Sequence, residues 1–88
     1  MSENQVSREL TYGERAVGLT FNHAEGETHD LVHQLKMLAA QQIDILYAAR
    51  KKVTNPSEKG AVLTHAIRQI QQSQMWAVKG ITLPEENI

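Results

Sequence analysis

Two histidines stand four residues apart at His29 and His33, and a lysine follows at Lys36. On a helix this histidine spacing brings both rings to one face, as paired imidazole ligands of a metal require. No carboxylate completes a pattern such as H-E-x-x-H, so the pair reads as surface histidines and no metal is expected. Lys36 is a cation beside apolar positions near the start of a helix, where an anion could share it with free backbone N–H groups. Taken alone it reads as an exposed lysine whose stem lies over an apolar face. No catalytic constellation is present: Ser2, Ser7, Ser57 and Ser73 lack a nucleophile context, the spacing of Gly13 and Gly18 does not make a phosphate loop, and the carboxylates are scattered over caps and tails. The chain is therefore not expected to be an enzyme, and no cofactor is expected.

These side chains depend on one long element. From Thr28 to about Lys52 apolar residues fall at Leu31, Leu35, Leu38, Ile45 and Ala49, with Gln42 in the skipped heptad position. A second stripe at Val32, Ala39, Leu46 and Val53 widens the face beyond what one partner helix can cover. His29, His33, Lys36, Ala40, Ile43 and Tyr47 follow one another on the face away from the main stripe. Thr28 is the expected cap with Asp30 in the first turn, and Arg50-Lys51-Lys52 suits the negative dipole end without needing a further role. Asn55 is then expected to cap a second helix over 56–80, with Pro56 in its first position and Glu58 completing a capping box. Its core stripe is Leu63, Ala66, Ile70, Ser73 and Ala77, flanked by Val62, Ile67 and Val78, while Gln69, Gln71, Gln72 and Gln74 suit contacts between subunits. Gly80 is expected to end it, Pro84 to prevent its resumption, and 81–88 to form a tail. So short a connection makes the two helices antiparallel neighbours.

Ahead of the hairpin, residues 1–10 read as a loose arm and 11–27 as a Gly-rich ordered arm. Tyr12, Leu19 and Phe21 are its anchors onto a helix surface. The only Trp, Trp76, is expected under this arm or across a subunit boundary. At 88 residues with 5% aromatic residues and no Cys, the chain is one domain with little bulk for a private core and no disulfide to offset the deficit. Oligomerisation is the usual remedy. The net charge of −1 leaves no broad basic face to track duplex nucleic acid, although one cation per pocket, repeated by symmetry, suffices for a small anion. No apolar run approaches a signal peptide or membrane span, so a soluble intracellular protein is expected.

The segment Gly13-Glu14-Arg15-Ala16-Val17-Gly18-Leu19-Thr20-Phe21-Asn22, the hairpin, and the closing Met75-Trp76-Ala77-Val78-Lys79 resemble the small phage anti-CBASS proteins that sequester cyclic oligonucleotides. The resemblance covers roughly residues 12–82. It implies an all-α fold, an antiparallel two-helix hairpin with a structured N-terminal arm, assembled into a compact homohexamer. It also implies a protein of the host cytoplasm that holds cyclic dinucleotides such as cGAMP between subunits, and cyclic trinucleotides such as cyclic triadenylate in separate pockets, without cleaving them. CBASS effectors are thereby starved of their activator. In the family an arm aromatic stacks on a base and a cation early in the first long helix meets phosphate. Phe21 and Lys36 match those positions, with Thr20, Asn22 and His33 placed to add hydrogen bonds. Gly13, Arg15 and Lys79 are the candidates for the trinucleotide pocket. The chain departs from the family at His23-Ala24-Glu25-Gly26, where relatives often have Pro-Ser-Gly, and at Leu83, where some carry an Arg.

Three other classes compete with this reading. One is a bundle that binds a protein partner, the second a DNA-binding dimer that the balanced charge opposes, and the third a messenger-degrading enzyme that the missing metal or base opposes.

Overall fold

The computed structural model describes residues 9–19 and 26–85, and among these described residues there are three helices. They are α1, Tyr12–Ala16; α2, Glu27–Lys51; and α3, Glu58–Thr82. The two long helices pack as a hairpin, and α1 lies against α2. Near the turn, Arg50 Nε donates to Thr64 Oγ1 at 2.6 Å and ties α2 to α3.

The helix ends follow local chemistry that partly differs from the expectations. Gly26, not Thr28, caps α2: at φ 124° it takes a conformation open to glycine, and its carbonyl accepts from Asp30 N at 2.9 Å. Thr28 is thereby already inside the helix. Ser57, not Asn55, caps α3, with an extended backbone and a hydroxyl that accepts from Gly60 N at 3.3 Å. Pro56 consequently sits in the turn, and Glu58 opens the helix where its charge suits the dipole. Gly80 does not end α3. The helix runs on to Thr82 and stops at Leu83 (φ −65°, ψ 136°), because a residue preceding proline is pushed out of the helical region.

The core lies where α1, the middle of α2 and the middle of α3 meet. Val17, Leu19, Ala39, Ala40, Ile43 and Ile67 are buried there, with Met37, Leu46, Tyr47 and Ile70 packed partly against them. This inverts the expected facing of the first long helix. Within one chain the arm covers the Ala40, Ile43 and Tyr47 face, whereas Leu38 and Ile45 of the main stripe stay 53% and 70% exposed. Trp76 is 64% exposed and has no ring contact with the arm among the described residues. The backbone extends 50 × 46 × 12 Å, much shorter along one axis than along the other two. Its radius of gyration of 15.7 Å exceeds the roughly 12 Å of a compact domain this long.

Candidate functional site

The arm is held by an unusual density of specific contacts for a helix of five residues, which has no stability of its own. Thr11 Oγ1 accepts from Glu14 N at 3.1 Å while Glu14 Oε1 accepts from Thr11 N at 2.9 Å, a complete capping box. At the other end Gly18 turns left-handed (φ 68°). Leu19 N then donates to Glu14 O at 2.9 Å and Gly18 N to Arg15 O at 3.1 Å, the reciprocal pair that closes a helix C-terminus. Both ends being satisfied internally, the arm can dock as a unit.

Docking depends on Gly13. Its N–H, one of the unsatisfied donors of a first helical turn, reaches Asp44 Oδ1 at 2.7 Å. A Cβ at that position would stand 2.1 Å from the Ala40 carbonyl oxygen, so no larger residue permits this approach. Beside it Tyr12 stacks on Tyr47 with centroids 3.9 Å apart and planes within 5°, and Lys51 lies 5.4 Å from the Tyr47 centroid. From α3, Gln71 Nε2 donates to Ala16 O at 3.2 Å. Arm and hairpin thereby become one body.

The consequence for ligand chemistry lies at Lys36. Its Nζ donates to Gly18 O at 3.3 Å, which brings the cation to the end of the docked arm, one residue before Leu19 and two before Thr20. An ammonium has three donors, so two remain for an anion. Phe21, Asn22 and Thr20 lie outside the described residues. His33 is half-buried one turn from Lys36, with its ring 6.2 Å from that of His29. His29 Nδ1 is 3.8 Å from Asp30 Oδ1, and no cluster of three metal-ligating side chains occurs among the described residues.

Gly13, Arg15 and Lys79 are not brought together by any hydrogen bond or ring contact among the described residues. Gly13 is committed to Asp44, exposed Arg15 uses Nη1 on Leu10 O at 2.6 Å, and Lys79 sits 5.5 Å from the centroid of Trp76 near the end of α3. Asp44, Ala40 and Gln71 are the positions that sequence reasoning missed. Only the small Ala40 opposite a glycine carried a signal, and pairing the two requires knowing which face the arm covers. No family model, curated protein or solved structure matches the chain. Among the described residues no helix is long and apolar enough to cross a membrane.

Proposed function

We propose that the chain is a homo-oligomeric sponge, a hexamer by its resemblance, that binds cyclic dinucleotide and trinucleotide messengers without cleaving them. The observation that carries this reading is the contact of Lys36 with Gly18: a cation with two donors to spare stands where the arm leads into Thr20, Phe21 and Asn22. In this proposal Phe21 stacks on a base, Lys36 meets phosphate, and Thr20, Asn22 and His33 add hydrogen bonds. Two such sets about a two-fold axis match a ligand with two bases and two phosphates. Gly13, Arg15 and Lys79 are kept for the trinucleotide pocket, where different copies would have to supply them.

Assembly is supported by what one chain leaves uncovered. Leu38 and Ile45 of α2 stay 53% and 70% exposed, and an apolar helix face is normally buried against another element. Gln74 is 8% exposed, yet its Oε1 has no hydrogen-bond partner among the described residues, and it lines a cavity of about 490 Å3 with Leu35, Leu38, Gln42 and Gln69. A buried acceptor left unmet costs about 1–3 kcal/mol, which a donor from a second copy would recover.

Calorimetry with cGAMP on Phe21→Ala and Lys36→Ala tests the site. Each stacked base is worth about 1–3 kcal/mol, so losing two Phe21 rings is expected to weaken binding by about a hundredfold or more. Lys36→Ala is expected to do comparable damage and to reduce the salt sensitivity of what remains. Parent-like binding by both variants, still assembled, would make these residues scaffold. An adaptor for a protein partner is the second reading, favoured by the exposed Met75, Trp76 and Ile81 along the end of α3.

A further inference from the structure

Positive charge is concentrated at the turn end of the hairpin, away from the residues assigned to cyclic dinucleotides. Between positions 50 and 68 the sequence places Arg50, Lys51, Lys52, Lys59 and Arg68 against the single carboxylate of Glu58, a surplus of four. The remainder carries four cations against nine carboxylates, so the chain is strongly polarised although its net charge is only −1. The dipole of α2 accounts for cations at residues 50–52, but it does not account for Arg68, which lies well inside α3.

The structure gathers these groups. Arg50, Lys51, His65 and Arg68 line a groove of about 800 Å3 that contains no carboxylate. No ion pair neutralises its cations among the described residues. Thr64, His65 and Arg68 succeed one another on one face of α3, and Thr64 Oγ1 accepts from Arg50 Nε. That bond restrains the Arg50 guanidinium and leaves its two terminal NH2 groups free for another acceptor. The volume is that of a small-molecule site, about 300–1,000 Å3. No Phe, Tyr or Trp lines it, so it lacks the broad stacking platform that would favour recognition of a base.

We propose that this groove binds a small, multiply charged phosphate ester of the nucleoside di- or triphosphate class, recognised through its phosphates rather than its base. Arg50 and Arg68 supply the planar forks that pair two-pronged with phosphate oxygens, while Lys51 and His65 stand at the same groove. The site is separate from the Lys36 site and does not depend on the sponge reading.

Calorimetry on the full-length chain at low ionic strength, with inorganic tripolyphosphate, pyrophosphate, phosphate and ATP, tests the proposal. Affinity is expected to rise with phosphate number, with ATP close to tripolyphosphate. Arg50→Gln and Arg68→Gln are each expected to weaken tripolyphosphate binding by about tenfold, the scale of one charge-assisted contact. Lys59→Gln, an equal loss of charge outside the groove, is expected to change it by less than about twofold. Helical circular dichroism confirms that each variant is folded. Absence of tripolyphosphate binding by the parent, equal binding by Arg68→Gln, or an equal loss in Lys59→Gln overturns the proposal. So does Arg68-dependent binding to phosphatidylserine vesicles without tripolyphosphate binding, which would make the groove a membrane contact. Failure of the sponge reading appears elsewhere, as loss of cGAMP binding by the parent with tripolyphosphate binding intact.

Discussion

Ile43 and Ile45 are two residues apart on α2 and have opposite fates: Ile43 is fully buried, whereas Ile45 is 70% exposed. The Ile43 face is completed by the chain itself. Val17 and Leu19 of the arm close over it, Gly13 approaches the Ala40 backbone, and Gln71 reaches across from α3. The face bearing Leu31, Leu38 and Ile45 is apolar by the same heptad logic, but among the described residues these three stay 39%, 53% and 70% exposed. The difference teaches that hydrophobic spacing marks where burial is needed without stating who provides it. One face is covered within the chain, and the other is the one that the proposed assembly would have to cover.

The sharpest way to break the comparison is Ile43→Ala. Removing a fully buried side chain from a packed core typically costs about 2–5 kcal/mol, so chemical denaturation is expected to show the chain's largest single loss there. Gly13→Ala is expected to follow at about 1–3 kcal/mol, because its Cβ would collide with the Ala40 carbonyl and displace the arm. Hydrogen exchange at residues 12–19 is the readout, with protection lost from the arm while the hairpin keeps its own. Ser57→Ala is expected to cost about 1 kcal/mol and Asn55→Ala clearly less, which thermal melts of the two variants separate. Ile45→Glu is expected to disturb the single chain least. Its effect belongs to sedimentation: assembled species give way to smaller ones while the helical circular dichroism signal stays.

The hairpin was legible because long heptad runs and a short turn leave few alternatives. Caps were legible only to within two residues. Asn55-Pro56 and Ser57-Glu58 both offer start signals, and the choice rests on where the Ser57 hydroxyl meets Gly60. α1 was hidden because five residues carry no periodicity, although Thr11 and Glu14 form a capping box and Gly18 takes the left-handed turn. The facing of α2 was misread because it carries apolar residues on more than one side, and only the docked arm selects among them. The proximity of Lys36 to Gly18 spans 18 positions and has no local signal. The basic groove was overlooked because Arg50-Lys51-Lys52 already had a sufficient explanation in the helix dipole, and Arg68 joins them only after the chain has folded back.

Equilibrium dialysis of cGAMP against the full chain, followed by heat denaturation and chromatography of the released nucleotide, tests the central claim most directly. A sponge retains the messenger and returns it intact, at one ligand for every two chains if the site lies on a two-fold axis. Failure to retain cGAMP, or recovery of a linear product, would contradict the account.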